Sequence, residues 1–266
     1  MARVKRALDP DQERQMSEGT KKSASNLRTT DATKRAANCF ACQTRERSEW
    51  CTLVPDEVRQ LNAAKTHNIY RTGQTVFYQR NPCLGIYCIM EGTVALRKTD
   101  AAGNSIIVRL AEAGQSIGYR AFFARSPYEV SAEAVTDSSI CFIDKAAVRR
   151  LLEQNPSIGH NFLTRLAQDL KESEQARLDA NTLSVRARLA HLLLVLKDSY
   201  GRVDDDGNII IELPLARQDL AAMIGARPES TSRAIKALQS DRVARFEGRD
   251  AIVEDLDRLL DEIDPE

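Results

Sequence analysis

The segment from Arg217 to Leu238, RQDLAAMIGARPESTSRAIKAL, contains two helical patterns separated by a turn signal. The apolar periodicity of the first pattern ends at Gly225, a residue type that lets a helix stop in a left-handed turn. Pro228 then suits the first turn of a second helix. The second pattern has an apolar face formed by Thr231, Ile235 and Leu238, and a polar face formed by Glu229, Ser232, Arg233 and Lys236. Two short helices joined in this way predict a helix-turn-helix.

In a helix-turn-helix, the first residues of the second helix meet base edges in the major groove of DNA. An arginine can bind guanine through two hydrogen bonds, and a glutamate can accept one from cytosine N4. The polar face therefore indicates a sequence-reading surface. An ordinary solvated face on a helical hairpin is the alternative, since turn-plus-helix patterns are common.

The flanking segments favour the winged form of the motif. ARLAHLLLVL, from Ala187, predicts a buried helix, NIIIELP, from Asn208, predicts a strand, and VARFEGRDAIV, from Val243, predicts a hairpin that turns at Glu247-Gly248. Between residues 214 and 249, seven cations outnumber four anions, an excess that suits phosphates. An acidic tail follows, so the net charge of zero conceals a segregated charge.

The chain of 266 residues with 42% hydrophobic content is long enough for two packed domains. No apolar run approaches the roughly 18 residues of a membrane span, and the N-terminus lacks a signal-peptide core. We therefore expect a cytoplasmic protein without a membrane partner. Residues 1–37 are polar and almost empty of large apolar groups, so we predict a disordered tail.

Between Val54 and Ile143, short β-like runs are punctuated by glycines at the spacing of an antiparallel roll or barrel. A long helical stretch follows from Pro156 to about Ser184. Its apolar residues recur four apart, at Ile158, Phe162, Leu166 and Leu170. Such a seam predicts packing against a partner helix, whereas a strut packed on its own chain is the alternative.

This order of elements resembles the CRP/FNR superfamily of bacterial transcription regulators from Pro55 to about Val253. The motifs GQTVFYQRN, GIYCIMEGTVAL, Gly114-x3-Gly118 and PESTSR carry the resemblance. It implies an α+β fold with a β-roll of the cyclic-nucleotide-binding kind, a long dimerisation helix and a C-terminal winged helix-turn-helix. The expected domains are 1–37 (tail), 38–150 (cysteine-containing arm and roll), 151–185 (dimerisation helix) and 186–266 (DNA-binding domain with acidic tail).

The resemblance also implies partners and DNA-binding residues. Family homodimers place two recognition helices in successive major grooves of a palindromic operator, and RNA polymerase is a further expected partner. Glu229, Ser232 and Arg233 reproduce the E-x2-S-R motif that the FNR branch uses on a TTGAT-like half-site. Lys236, one turn further on, is assigned to a phosphate. Arg227 stands where the family usually has a capping hydroxyl, which costs about 1 kcal/mol but adds a possible phosphate contact.

Six cysteines in an intracellular chain favour metal or redox chemistry over disulfides. Cys39-x2-Cys42-x8-Cys51 can supply three thiolates to one centre. By spacing alone, Cys83, Cys88 and Cys141 compete to be the fourth ligand, and zinc competes with iron–sulfur. Unconnected structural cysteines are a third possibility, because buried cysteine is common.

The resemblance to FNR-type oxygen sensors selects among these options. Such proteins carry three cysteines before the roll and a fourth on its last strand, which corresponds here to Cys141 in SSICFIDKAAVRRLL. It implies a [4Fe–4S] cluster held by Cys39, Cys42, Cys51 and Cys141, with oxygen or nitric oxide as the signal. Cluster conversion would weaken a marginal dimer, to which repulsion between two copies of Asp169 is expected to contribute.

Other ligands and enzymatic functions have less support. Nucleotide-binding members of the superfamily that this chain resembles have a glutamate soon after the second glycine and an Arg-Ser or Arg-Thr pair. Here Tyr119 and Arg120 follow Gly118, and Glu129 occupies the later segment. Haem, zinc or an unconventional small molecule remain alternatives, with His67, His160 and His191 as the chain's histidines. The sequence lacks G-x-S-x-G, a G-x4-G-K-[ST] loop and H-E-x2-H, so we expect no enzyme.

Overall fold

The computed structural model describes residues 38–205 and 207–263. The predicted disordered tail, residues 1–37, lies outside the described residues. The predicted α+β architecture is confirmed: an antiparallel roll is followed by a long helix and a winged helix-turn-helix.

The roll is built from two four-stranded antiparallel sheets. Its strands are β1 (Thr66–Tyr70), β2 (Thr75–Phe77), β3 (Gly85–Glu91), β4 (Thr93–Thr99), β5 (Ser105–Glu112), β6 (Ser116–Ile117), β7 (Ser131–Ala134) and β8 (Ser138–Asp144). One sheet has the order β1-β8-β3-β6 and the other β2-β7-β4-β5. The glycine between β3 and β4 is required by geometry, because Gly92 has φ +89° and an added Cβ would lie 2.3 Å from the Ser138 hydroxyl oxygen.

Three short helices pack around the roll: α1 (Pro55–Ala64), α2 (Tyr119–Ala124) and α3 (Lys145–Gln154). The long helix, α4, spans Pro156–Thr182 and is followed by α5, Val185–Tyr200. A dimerisation helix was expected from residue 151, but residues 151–154 belong to α3. The break has a local cause, since the Asn155 side chain accepts a hydrogen bond from Ser157 N and Pro156 occupies the first helical turn.

The apolar seam of α4 does not form one continuous surface. Ile158 and Phe162 are fully buried in the core of the roll, whereas Leu170 is 60% exposed. A spacing of four residues drifts by about 40° per step on a helix of 3.6 residues per turn, so the seam winds from one face to another. The first half therefore packs on its own chain, contrary to the prediction of a partner-seeking seam. The exposed apolar positions of α4 are Leu163, Leu170 and Leu178.

The C-terminal domain is a four-stranded sheet beside helices. Its elements after α5 are β9 (Gly201–Val203), β10 (Ile209–Glu212), α6 (Arg217–Met223), α7 (Pro228–Ser240), β11 (Arg245–Glu247), β12 (Asp250–Val253) and α8 (Leu256–Asp261). The sheet order is β11-β12-β10-β9, and β11 and β12 form the predicted hairpin. Over the described part of the chain, no helix combines the length and apolarity that would cross a membrane.

Candidate functional site

The turn between α6 and α7 has the conformation that its residues predict. Gly225 adopts φ +61°, in the left-handed region that favours glycine. Arg227 occupies the N-cap of α7 with an extended backbone and no side-chain capping bond, and Pro228 opens the helix. The first amide N–H groups of α7 therefore receive no capping bond from the Arg227 side chain.

The two faces of α7 separate as predicted. Thr231, Ile235 and Leu238 are buried in the domain core, with relative exposures of 2%, 5% and 0%. The residues assigned to DNA are exposed: Arg227, Glu229, Ser232, Arg233 and Lys236. Arg233 makes one local contact, from Nη2 to the Ser230 hydroxyl at 3.2 Å. The polar face is therefore open to a groove.

A second candidate site is a cavity between the N-terminal arm and the sheet that contains β8. It has about 440 Å³ of free space, part of it continuous with solvent. Four cysteines from three separate segments line it: Cys39, Cys42, Cys88 and Cys141. Other lining groups include Trp50, Arg45, Lys65 and Met90. Thiols that are distant in sequence thus surround one space.

The arm is fixed beside the cavity by hydrogen bonds around Cys39. A 3₁₀ turn spans Cys39–Ala41, and Asn38 caps it by accepting from Phe40 N. Cys39 N donates to Asn62 Oδ1 of α1 at 2.9 Å, and Arg45 Nε donates to Cys39 O at 3.1 Å. These bonds hold the first cysteine of the arm against the roll.

Strand register brings Cys141 to the same cavity. β8 lies between β1 and β3, and Cys141 is the direct cross-strand partner of Cys88. Residues directly opposite each other on neighbouring strands share one face of the sheet. The Cys141 thiol lies 3.0 Å from Met90 Sδ, at the point where the register of β3 against β8 shifts between Ile89 and Glu91.

Burial dominates the electrostatics of these thiols. It raises the pKa of Cys39 to about 11 and that of Cys141 to about 12, while the positive charge of Lys65 opposes both shifts. Burial also holds the pKa of Cys88 well above its usual value. Without a bound cation, Cys39, Cys88 and Cys141 are therefore protonated at neutral pH.

The structure brings together three of the four predicted ligands. Cys39, Cys42 and Cys141 line the cavity, but Cys51 is exposed and lies beside α4, with Sγ 3.7 Å from Asn161 Nδ2. Cys83 is buried elsewhere, where its thiol contacts Gly85 O at 3.6 Å. Within the described ranges, no three His, Cys, Asp or Glu side chains are grouped closely enough to hold a single metal ion. The soft thiolate donors suit an iron–sulfur cluster, for which Cys51 would have to move toward the cavity.

The segment PYEVSAEA, from Pro127, which the resemblance aligns with the phosphate-binding segment of nucleotide-binding members, contains a buried tyrosine. Tyr128 is 3% exposed and stacks on Phe77 with ring centroids 4.1 Å apart. Its hydroxyl donates to Gly85 O at 3.0 Å. Glu129 follows it, so this segment offers no cation for a phosphate.

Asp169 does not lie at an exposed two-fold surface. It is 8% exposed and faces its own roll, where its carboxylate accepts from Arg109 Nη1 at 2.8 Å and pairs with Arg165 at 2.9 Å. The Tyr119 hydroxyl donates to the same carboxylate. The expectation of repulsion between two copies of Asp169 is therefore wrong, because two cations of the same chain neutralise its charge.

Trp50 and Asn161 are site residues that the sequence reasoning missed. Trp50 lines the cavity, and Asn161 lies on α4 against the arm. The available signal was the chain's single tryptophan beside Cys51 in an otherwise polar arm. A large aromatic ring in such a segment usually finds a core.

Two domain families and several relatives match the chain. Residues 68–155 match the cyclic nucleotide-binding domain, and residues 187–262 match the Crp-like helix-turn-helix domain. The chain is 26% identical over 228 residues to the transcriptional activator protein FnrL of Cereibacter sphaeroides, covering 84% of this chain and 91% of FnrL. It is 26% identical over 198 residues to the cyclic AMP receptor protein of Thermus thermophilus, covering 73% and 86%. The structure of FixK2 from Bradyrhizobium japonicum superimposes with a TM-score of 0.64 at 21% identity, covering 74% of this chain and 96% of FixK2.

The order of the two matched domains, the long helix between them and the exposed reading face define a class of DNA-binding regulator. The chain belongs to the CRP/FNR family of transcription regulators. Its matched domains and relatives are regulators rather than enzymes.

Proposed function

We propose that this regulator is a homodimer whose binding to a palindromic, TTGAT-like operator is governed by an oxygen- or nitric oxide-sensitive [4Fe–4S] cluster. The observation that carries the proposal is the convergence of Cys39 and Cys42 with Cys141 at one cavity. These residues come from the arm and from the last strand of the roll, and 98 intervening positions separate Cys42 from Cys141. Cys88 lines the same cavity, so the assignment of Cys141 rather than Cys88 rests on the resemblance to FNR-type sensors.

The cluster would be held by Cys39, Cys42, Cys51 and Cys141. When bound, it supplies iron–sulfur bonds that oxygen and nitric oxide attack. The chain contributes the soft thiolate donors and two cations, Arg45 and Lys65, which line the cavity and favour the thiolate forms. Cys51 joins the other ligands when the segment that carries it moves away from α4.

A cyclic nucleotide is the rival signal, because one relative is named a cyclic AMP receptor protein. Two observations disfavour it. Tyr119 and Arg120 follow Gly118 where nucleotide-binding members have a glutamate, and Glu129 follows the buried Tyr128 where those members have a cation. Haem is disfavoured because the three histidines lie apart, with His67 bonded to Ser139, His191 paired with Asp179 and His160 exposed.

Dimerisation is supported by the exposed apolar face of α4. Leu163 and Leu170 are 62% and 60% exposed and lie seven residues apart, which is the repeat of a two-helix seam. A second copy of α4 would cover both leucines. The two α7 helices of such a dimer would then read two half-sites one helical turn apart. RNA polymerase is the partner we expect for a DNA-bound activator.

The test compares Cys141→Ser with Cys83→Ser, each purified without air. Cys83 is a matched control because it is equally buried in the same roll but does not line the cavity. We expect Cys141→Ser to lose iron, sulfide and visible absorbance together with dimer-dependent DNA binding, whereas Cys83→Ser keeps them. The reverse result would reassign the fourth ligand. A colourless wild-type protein without iron would remove the oxygen-sensing proposal and leave a winged-helix regulator with another signal.

A further inference from the structure

Residues 49–52, which we name the strap, lie between the cysteine cavity and α4. The Trp50 side chain is 2% exposed and lines the cavity. Its ring also meets Phe162 of α4 edge-to-face, with centroids 5.5 Å apart. A single side chain of the strap thus touches both the proposed ligand site and the helix with the exposed leucines.

Buried hydrogen bonds fasten the strap to the roll. Trp50 Nε1 donates to the Ser116 hydroxyl at 3.2 Å, and that hydroxyl donates to the Glu49 carboxylate at 2.6 Å. Glu49 is 7% exposed and Ser116 is fully buried. Breaking such a chain leaves buried polar groups without partners, so Glu49 and Trp50 are held more firmly than Cys51, which is exposed.

Asn161 fastens the other side of the strap to α4. Its Nδ2 lies 3.0 Å from Glu49 O, 3.4 Å from Thr52 Oγ1 and 3.7 Å from Cys51 Sγ. An amide group has two N–H donors, so it satisfies at most two of these three acceptors at a time. Asn161 can therefore exchange partners as the strap moves.

From this geometry we infer that Asn161 is the positioning residue that couples the location of Cys51 to α4. The inference rests on the proposed function, because Cys51 must leave the face of α4 to join Cys39, Cys42 and Cys141. When Cys51 leaves, the Asn161 amide no longer contacts its thiol, and the two N–H groups bond to Glu49 O and Thr52 Oγ1. Leu163 follows Asn161 by two residues, so a shift of this turn acts directly on the first leucine of the exposed face.

The first measurement uses the apoprotein and the single tryptophan. Acrylamide quenching of Trp50 fluorescence should rise in Asn161→Ala, because the strap loses its hydrogen bonds to Asn161. It keeps the bond from Asn155 Nδ2 to Thr52 O and the ring contact with Phe162. Thr164→Ala is the matched control: Thr164 lies on the same helix and is exposed, and among the described residues its hydroxyl bonds to His160 O alone. Asn161→Gln retains the amide donors and should restore part of the protection. Unchanged quenching in Asn161→Ala would overturn the inference.

The second measurement uses anaerobic, iron-loaded protein. Asn161→Ala should bind as much iron as the wild type, because it is not a ligand. Sedimentation gives the dimerisation constant with and without iron. In the wild type we expect iron to change this constant by about 5- to 150-fold, the usual range of such coupling. In Asn161→Ala the ratio of the two constants should fall toward one. If Asn161→Ala shows the same ratio of dimerisation constants as the wild type, Asn161 does not couple the cysteine site to α4. If the wild type itself binds no iron, the proposed function fails, and Trp50 quenching alone then decides whether Asn161 anchors the strap.

Discussion

Replacing Asp169 by Asn should destabilise the fold and leave the dimer no stronger. Asp169 is the anion between two guanidinium groups, and the side chains of Asp169, Arg109 and Arg165 are only 6%, 11% and 15% exposed. Asparagine keeps the shape but removes the negative charge, so two buried cations face each other without compensation. Breaking a buried ion pair in this way costs about 3 to 5 kcal/mol. For a chain of this size, that corresponds to a fall in Tm of roughly 10 °C.

Thermal unfolding followed by circular dichroism measures the effect. Glu174→Gln is the control, because it removes the same charge from an exposed position of α4 and should change the stability by less than about 0.5 kcal/mol. Sedimentation of the same variants distinguishes the two explanations of Asp169. An unchanged Tm with a tighter dimer would refute the intramolecular role and restore the idea of repulsion across a two-fold axis.

Three further predictions concern DNA reading and the dimer. Arg233→Ala should lose about 1 to 3 kcal/mol of binding and relax the preference at one guanine, as measured on operators with single base changes; unaltered preference would remove the assignment. Lys236→Ala should weaken binding to all sequences alike and reduce the salt slope by about one, which titration at several salt concentrations measures. Leu170→Glu should shift the protein toward monomers by placing like charges in the seam, whereas the same change at Val203, a 69% exposed residue far from α4 in sequence, should not.

Local signals made the DNA-binding half of the molecule predictable. Gly225 and Pro228 lie at the two ends of the turn of the helix-turn-helix. The spacing of Thr231, Ile235 and Leu238 identifies the buried face of the second helix. Each of these features depends on residues within a few positions of one another, where backbone geometry is set by residue type.

The contacts of the sensor half depend on register and were less predictable. Asp169 meets Arg109 across 60 positions and Tyr119 across 50, so no local pattern records these pairs. The position of Cys88 opposite Cys141 follows from the pairing of β3 with β8, which the spacing of cysteines does not reveal. Cys51 was assigned from the Cys39-x2-Cys42-x8-Cys51 spacing as well as by resemblance, and its placement beside Asn161 reflects bonds of the strap that the spacing does not encode.

The DNA-binding domain is joined to the roll by β4 as well as by α4. Arg97 bonds to Glu133 at 2.7 Å within the roll and to Asp219 of α6 at 2.8 Å, and Thr93 bonds to Tyr200 of α5 at 2.8 Å. This interface involves Asp219 of α6 and leaves the polar face of α7 exposed. Partly buried ion pairs of this kind contribute little net stability but favour one orientation of the groups they join.

The DNA-binding domain is connected to the roll through α4 and through the contacts of β4, so a movement of α4 against the roll affects where α7 lies. The two recognition helices of a dimer must lie one helical turn of DNA apart, about 34 Å, and bind their half-sites in register. If the strap moves the start of α4 while the Arg97–Asp219 contact holds α6 to the roll, the DNA-binding domain must turn about that contact. A change at the cavity that leaves every reading residue untouched can then alter DNA affinity through the spacing of the two α7 helices.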